Sequence, residues 1–105
     1  MLESKFKTDL IKELEAMYPD PDGMVFKNDA RQGFPDLLIL YKRTWAALEC
    51  KKSAKASRQP NQDYYVDRMN KMSYAAFICP ANKREVLDEL QQALDPRWSS
   101  RVSKR

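Results

Sequence analysis

Charged residues interrupt two apolar segments of the chain that otherwise look suited to burial. Asp36 lies in GFPDLLILY, residues 33–41, and Glu49 and Lys51 lie near the end of WAALECKK, residues 45–52. Two carboxylates that come together repel each other unless a cation lies between them, and oxygen ligands of this kind suit Mg²⁺ or Mn²⁺. Such an ion would lower the pKa of a bound water and offset charge that builds on a phosphorus atom. These residues therefore predict metal-dependent cleavage of a phosphodiester bond.

Each charged group has an expected role in that chemistry. Side chains alternate between the faces of a strand, so Glu49 and Lys51 share a face and Cys50 takes the other. We expect Asp36, Glu49 and the backbone carbonyl of Cys50 to bind the metal. Lys51 would hold or help deprotonate the attacking water, or stabilise the transition state electrostatically. In the alternative interpretation, Glu49 and Lys51 form only a surface ion pair, which would contribute little stability.

The link between the two segments decides whether Asp36 can reach Glu49. In a hairpin, a loop of two or four residues places Asp36 on the face of Glu49, whereas a loop of three residues requires a β-bulge to do so. The linker, residues 42–44, is Lys-Arg-Thr and contains no glycine for a primed turn. We therefore expect the longer loop or a bulge.

The chain contains no histidine. Its absence excludes Ser-His-Asp and Cys-His catalysis, zinc sites built on pairs of histidines, and nucleases in which histidine is the general base. Catalysis would have to use carboxylates, lysine or a hard metal ion bound by oxygen atoms.

The spacing of apolar residues predicts the elements that position these groups. Apolar residues recur at helical spacing through residues 3–17, which predicts an amphipathic helix that YPDPDG then ends. Two more helices are predicted at residues 60–72 and 82–94, the last with Asn82 as N-cap and Glu85 completing a capping box. The order α-β-β-β-α-β-α predicts an α/β fold with a mixed β-sheet flanked by helices. Apolar runs bounded by turn residues predict the four strands, at residues 24–27, 34–41, 45–51 and 73–80.

Length and composition indicate one domain. A chain of 105 residues suffices for one compact domain, so we assign residues 1–96 to it and residues 97–105 to a basic C-terminal tail. No long uncharged apolar run suits a membrane span, and the charged N-terminus lacks the apolar part of a secretory signal. We therefore expect a cytoplasmic protein in which Cys50 and Cys79 are reduced core residues.

A basic segment marks candidate contacts to nucleic acid. The net charge is +4, and KKSAKASR, residues 51–58, carries four cations and no acid. Lys52, Lys55 and Arg58 in this segment, and the basic tail, could contact phosphates. A solvated loop and a frayed tail explain the same charges equally well.

Five other residues are candidates for contacts to DNA or to a second copy of the chain. Asn28 and Arg31, in a polar turn, could contact DNA, although loop polarity also explains them. Tyr64 and Tyr65 could stack on an unpaired base, although Tyr65 suits the core better. Trp45 could anchor a dimer, although burial within the monomer is the favoured interpretation.

The order of the motifs resembles the signature of the PD-(D/E)XK nuclease superfamily. GFPD at residues 33–36 is followed by an apolar strand, a turn and ECK at residues 49–51. The acidic and lysine positions of the signature are filled here by Asp36, Glu49 and Lys51. The predicted elements also resemble the restriction-endonuclease-like core of that superfamily over most of the chain. Within it, the compact size and the form G-x-P-D resemble the virus-type replication-repair nuclease domain, VRR-NUC, whose stand-alone phage members are similar to Holliday junction resolvases.

This resemblance implies a Mg²⁺- or Mn²⁺-dependent endonuclease that acts on branched or otherwise structured DNA, usually as a homodimer. It also implies a further acid from the first helix as a metal ligand, for which Glu3 is the nearest match and Glu13 or Glu15 the alternatives. A helical glutamine with a catalytic role is implied as well, and Gln62 matches it better than Gln59.

Two other function classes remain open. One is a nucleic-acid-binding module that keeps the nuclease fold without catalysis, against which the intact Asp36, Glu49 and Lys51 argue. The other is a small phage-type interaction or inhibitor protein whose basic tail engages an acidic partner. Salt-dependent DNA binding would argue against that second class.

Overall fold

Three helices and four strands follow one another in residues 3–95, the part of the chain that the computed structural model describes. Their order, α-β-β-β-α-β-α, is the predicted one. The basic tail predicted for residues 97–105 lies outside the described residues. None of the three helices is long and apolar enough to cross a membrane. The helices are α1 (Glu3–Met17), α2 (Pro60–Met72) and α3 (Lys83–Leu94), and the strands are β1 (Gly23–Lys27), β2 (Leu37–Tyr41), β3 (Thr44–Cys50) and β4 (Tyr74–Ile78).

Two strands are shorter than predicted. β2 begins at Leu37 rather than at residue 34, and β4 ends at Ile78 rather than at residue 80. The predicted ends contain Pro35 and Pro80. Proline has no N–H to donate to a ladder, so it stands outside each strand.

The four strands form one mixed sheet in the order β1-β2-β3-β4. β1 pairs antiparallel with β2, and β2 antiparallel with β3. β3 and β4 are parallel, and α2 forms the crossover between them. This arrangement confirms the predicted α/β fold with a mixed sheet flanked by helices.

The β2–β3 hairpin closes with the two-residue loop Lys42-Arg43, because Tyr41 pairs directly with Thr44. The prediction of a longer loop or a bulge is therefore wrong. Lys42 adopts a φ of 53°, in the left-handed region that glycine usually occupies. Its N–H donates to the carbonyl of Asp22 at 2.7 Å, a contact from outside the hairpin that stabilises this conformation.

The register of this hairpin sets the two candidate metal ligands side by side. Leu37 pairs with Leu48. Continuing the ladder by one residue places Asp36 opposite Glu49, on the same face of the sheet, as expected for a two-residue loop. Oδ2 of Asp36 accepts a hydrogen bond from the N–H of Cys50 at 2.9 Å, which holds the carboxylate at the end of β3.

α1 and α3 both pack on one face of the sheet and bury the larger part of the core. Leu10 of α1, Leu48 of β3 and Leu90 of α3 are fully buried there. Each buried leucine stabilises the fold by about 1.5–3 kcal/mol. Cys50 also lies in this core, and Cys79 is buried as well; both are free thiols, as predicted.

α2 packs on the opposite face, mainly on β3 and β4. Its Val66 and Met69 form a smaller cluster with Ala47 of β3. The same face continues over β2 to β1, where Met24 and Phe26 are 56% and 55% exposed. The helices therefore leave part of this face uncovered.

Asn82 precedes α3 but does not complete the predicted capping box. Its Oδ1 accepts from the N–H of Cys79 at 2.8 Å, and its Nδ2 donates to the carbonyl of Phe77 at 3.2 Å. The side chain makes no capping hydrogen bond to α3. The prediction of a capping box formed by Asn82 and Glu85 is therefore wrong, because the side-chain amide of Asn82 bonds to backbone groups at the end of β4.

Candidate active site

The carboxyl end of β3, the chain before β2 and the first turn of α2 meet at one edge of the sheet. Glu49 lies near the end of β3, and Lys51 follows that strand. Asp36 directly precedes β2, and Gln62 lies in the first turn of α2. Side-chain hydrogen bonds connect all three of these parts of the chain, so the four residues predicted to be catalytic lie together.

The amide of Gln62 connects the carboxylate and the ammonium of this site. Its Nε2 donates to Oε2 of Glu49 at 2.9 Å, and its Oε1 accepts from Nζ of Lys51 at 2.8 Å. The backbone N–H of Gln59 donates to the same Oε1 at 3.1 Å, which ties the amide to the start of α2. A glutamine can do this because it offers both a donor and an acceptor. Gln62, rather than Gln59, thus places its side chain at the site.

Lys51 is held in a nearly buried position. Its Nζ donates to the carbonyl of Ser57 at 3.1 Å as well as to Gln62. It lies 4.0 Å from Oε2 of Glu49, and the two side chains are only 13% and 5% exposed. This is not the surface ion pair of the alternative interpretation, and its desolvation is costly. An ammonium has three donors, so one N–H of Lys51 has no acceptor within hydrogen-bond distance among residues 3–95.

Asp36 has partners on both carboxylate oxygens. Oδ2 accepts from the N–H of Cys50, and Oδ1 lies 3.2 Å from Nζ of Lys7, which α1 supplies. Burial lowers the pKa of Lys7, but the Asp36 carboxylate outweighs burial and the pKa is raised overall. Sequence analysis did not identify Lys7. The sequence feature that could have identified Lys7 is its position directly after the buried Phe6, at the border of the helix face that packs on the core.

The acid expected from α1 does not form a metal cluster with Asp36 and Glu49. Within the described part of the chain, no three His, Cys, Asp or Glu side chains lie close enough together to hold a metal ion. Glu3 lies one helical turn before Lys7, and its charge contributes to the raised pKa of Lys7. The charge of Glu3 therefore helps to raise the pKa of Lys7, the lysine beside Asp36, and Glu3 does not join Asp36 and Glu49 in a group of three carboxylates.

The two alternative acids of α1 also have other surroundings. Glu13 forms an ion pair of 2.6 Å with Lys83 of α3. Glu15 is exposed and lines a separate cavity beside Tyr18 and Gly23. Neither of these acids lines the cavity that contains the candidate site.

One carboxylate oxygen of Glu49 has no partner in the described part of the chain. This atom, Oε1, is buried and makes no hydrogen bond there. Burial, and next the negative charge of Asp36, raise the pKa of Glu49 from 4.5 to about 7, although Lys51 and Lys7 act in the opposite direction. A buried acceptor without a partner costs about 1–3 kcal/mol. The nearby lysines therefore do not compensate the burial of Glu49, and its Oε1 lacks a positively charged partner within residues 3–95.

A divalent cation could supply that charge. Asp36 and Glu49 line one cavity of about 240 Å³ together with Gln62. Mg²⁺ usually keeps several waters and binds proteins through one or two carboxylates. Two carboxylates are therefore sufficient, and their oxygen donors fit Mg²⁺ or Mn²⁺.

The loop of residues 28–33 forms another wall of this cavity. Oδ1 of Asn28 accepts from the N–H groups of Ala30 and Arg31 at 3.2 and 3.1 Å. Its Nδ2 donates to the carbonyls of Arg31 and Phe34 at 2.9 and 3.4 Å. These bonds use both amide hydrogens and the carbonyl oxygen. Asn28 therefore organises the loop, and its side chain keeps no N–H for the predicted DNA contact.

Gly33 lets this loop lie against the start of α2. Its φ is 86°, a conformation that glycine adopts without strain. A Cβ at this position would collide with the side-chain amide of Asn61. The glycine of the GFPD motif thus allows the cavity wall to approach α2.

The predicted phosphate contacts differ in their surroundings. Arg58 lies 3.2 Å from the carboxylate of Asp63, and its guanidinium stands 4.0 Å from the ring centroid of Phe77. Arg58 therefore already has a carboxylate partner, although its side chain remains 45% exposed. Lys52 and Lys55 are exposed and form no ion pair with any residue from 3 to 95, which leaves them available to a phosphate.

No protein-family model, no curated protein and no solved structure matches this chain. The functional interpretation therefore depends on the geometry of the site itself.

Glu49 makes the stability of the metal-free protein depend on pH. Because its pKa is raised from 4.5 to about 7 on folding, its stabilising contribution is complete below pH 4.5 and is lost as the pH rises through 7. With a chelator present, we compare the unfolding free energies of Glu49→Gln and the wild type. We expect the difference in favour of Glu49→Gln to grow by up to about 3 kcal/mol from acidic to mildly alkaline pH. Urea unfolding of both proteins across this range checks the prediction. A difference that does not change with pH would contradict the raised pKa.

Proposed function

We propose that this protein is a nuclease that hydrolyses phosphodiester bonds of DNA with Mg²⁺ or Mn²⁺, on a restriction-endonuclease-like core. The observation that carries the proposal is the buried Oε1 of Glu49, which finds no partner within residues 3–95 and belongs to a residue lining the same cavity as Asp36. Buried polar atoms nearly always have a partner, so an exception requires an explanation. A hard cation explains it, since two carboxylates attract such an ion.

Asp36, Glu49 and the backbone carbonyl of Cys50 would hold the ion. When bound, it supplies an activated water and offsets charge on the phosphate. Lys51 has a different role, which is to contact the phosphate rather than the metal. Its ammonium is fixed by the carbonyl of Ser57 and by Gln62, and it lines a smaller cavity next to that of Asp36 and Glu49. Its third N–H would donate to a phosphate oxygen of the bound DNA. A donor fixed in advance stabilises the developing negative charge without reorganising during the reaction.

Gln62 is a positioning residue in this proposal. It binds Glu49 through its donor and Lys51 through its acceptor, so it holds the metal ligand and the phosphate donor at a constant separation. Partners of this kind keep ligands oriented, and their loss typically costs about 10- to 100-fold in activity or metal affinity.

DNA is the proposed substrate because exposed cations lie close to the site along the chain. Lys52 and Lys55 follow β3 directly, and the net charge of the chain is +4. Cations placed in this way would contact phosphates independently of sequence. Branched or four-way DNA, a homodimer and the cytoplasm follow only from the resemblance to VRR-NUC domains and remain predictions.

One observation favours a second candidate, a nucleic-acid-binding module without catalysis. Both oxygens of Asp36 already have partners, the N–H of Cys50 and the ammonium of Lys7. A metal would have to compete with Lys7 for Oδ1. If the Lys7 ammonium stays bound to Oδ1 in the presence of metal, Asp36 supports the fold and the cavity binds DNA without cutting it.

A cleavage assay distinguishes these candidates. Supercoiled plasmid and labelled duplex, flap, splayed, nicked and four-way DNAs are incubated with Mg²⁺, with Mn²⁺ and with a chelator. We expect cleavage of at least one DNA with either metal and none with the chelator. Binding of these DNAs without cleavage in either metal would refute the nuclease and favour the binding module.

A further inference from the structure

A second cavity opens beside the candidate active site, on the face of the sheet that α2 covers only in part. Its volume is about 660 Å³, within the range of cavities that hold a small organic molecule. Leucine and methionine side chains form part of its lining. We call it the aromatic groove, after four of its residues, Phe34, Trp45, Tyr64 and Tyr65.

The rings of the aromatic groove are suited to stacking. The ring centroids of Phe34 and Tyr65 lie 5.4 Å apart, and those of Tyr64 and Tyr65 lie 5.3 Å apart. Tyr64 is nevertheless 57% exposed, so its ring remains accessible. Exposed aromatic rings in a groove are the surface on which unpaired bases stack, whatever their sequence.

The charge of the groove selects among the ligands that could fill it. Arg31 and Arg68 belong to its lining, which includes no acidic residue from the described part of the chain. Arg31 donates to the hydroxyl of Tyr65 at 3.1 Å, and Arg68 forms no ion pair within residues 3–95. An apolar protein surface docked here would bury these guanidinium groups at a cost. A nucleotide instead offers a ring for the tyrosines and a phosphate for the arginines.

The aromatic groove adjoins the candidate active site. Arg31 and Phe34 line both this groove and the cavity that contains Asp36 and Glu49. A DNA strand whose phosphate lies at the two carboxylates therefore has a neighbouring nucleotide at the entrance to the groove.

We propose that the aromatic groove binds an unpaired nucleobase of the strand that occupies the active site. This inference rests on the proposed nuclease function and specifies its substrate: DNA in which unpaired bases lie next to the phosphate that is cut, as in splayed or flapped strands. A fully paired duplex keeps its bases stacked, and a base must leave that stack before it can enter a pocket. Paired DNA should therefore bind without using the groove.

Fluorescence anisotropy in the presence of a chelator tests the groove independently of cleavage. Two DNAs of one sequence are compared, a fully paired duplex and the same duplex with a splayed, unpaired end. We expect Tyr64→Ala to weaken binding of the splayed DNA by about 5- to 150-fold, the range measured for loss of one stacked base, and to leave duplex binding unchanged. Because Tyr64 is exposed, its removal should not affect folding.

A matched pair of charge variants provides the control. Arg68→Gln removes a cation from the groove, and Lys71→Gln removes one from the same helix, where Lys71 pairs with Asp67 and is 76% exposed. We expect Arg68→Gln to weaken binding of splayed DNA more than Lys71→Gln does, and the two variants to bind duplex alike.

Three results would overturn the inference. Tyr64→Ala could weaken both DNAs equally, or neither of them. Alternatively, sedimentation could show that the wild type is a dimer which Tyr64→Ala dissociates while discrimination between the DNAs persists, so that a second copy fills the groove. The experiments can refute the proposed role of the groove and the proposed nuclease activity separately. A Tyr64-dependent preference for splayed DNA without any cleavage in Mg²⁺ refutes only the nuclease, and cleavage without that preference refutes only the groove.

Discussion

Glu49→Gln should reduce DNA cleavage by at least about 100-fold, because it removes one of two carboxylates at the proposed metal site. The loss should not come from unfolding. Glutamine keeps the shape of the buried side chain and resembles the protonated form of Glu49, which folding favours up to about pH 7. The metal-free variant should therefore be at least as stable as the wild type at neutral pH.

Cleavage rates at saturating Mg²⁺ and DNA, with circular dichroism and DNA-binding measurements on the same samples, check this prediction. Glu15→Gln is a matched control, since Glu15 is an exposed acid near the C-terminal end of α1 and is not part of the cavity. Asp36→Asn should lose activity to the same extent as Glu49→Gln. Full cleavage by both site variants would refute the assigned metal ligands.

Lys51→Met should reduce turnover by about 100- to 1,000-fold, because it removes the fixed donor for the phosphate. It should change metal affinity much less, since the ammonium is not among the proposed ligands. Methionine retains an unbranched apolar side chain in this nearly buried position. The loss of the nearby ammonium should raise the pKa of Glu49 further, so assays are best run above neutral pH.

Single-turnover cleavage and calorimetric titration of Mg²⁺ separate the two effects of Lys51→Met. Lys52→Met is the control at the next position, which is exposed. That variant should weaken DNA binding and its salt dependence while leaving turnover on bound DNA unchanged. If Lys51→Met instead lost metal affinity as strongly as turnover, Lys51 would support the metal site rather than the phosphate.

Side-chain periodicity predicted most of the scaffold of the candidate site. Helical spacing gave α1 and α2 with their observed bounds, and alternation along β3 placed Glu49 and Lys51 on one face. The hairpin loop was predicted wrongly, because turn statistics weigh only the local residues Lys42 and Arg43. The bond from the N–H of Lys42 to the carbonyl of Asp22 joins residues that the chain separates, and local preferences do not include it.

The groups that set the charge of the site depend on contacts between distant elements. Lys7 and Asp36 lie 29 positions apart in the chain, so the local sequence around either residue does not predict their ion pair. Asn82 had a typical N-cap sequence, yet its amide satisfies the end of β4. The aromatic groove likewise exists only because α2 leaves part of the sheet uncovered. Such features follow from the packing of α1, α2 and α3 on the sheet, which periodicity does not specify.

The most direct test of the central claim is a crystal structure grown or soaked with Mn²⁺, with anomalous scattering measured to locate the ion. The proposed site predicts an anomalous peak coordinated by Asp36 and by Oε1 of Glu49, the oxygen for which residues 3–95 supply no partner. Lys7 should have moved away from Oδ1 of Asp36, because the ion replaces the ammonium there. A map without a peak between these carboxylates at saturating Mn²⁺, with Lys7 still paired to Asp36, would contradict the metal site and the nuclease with it.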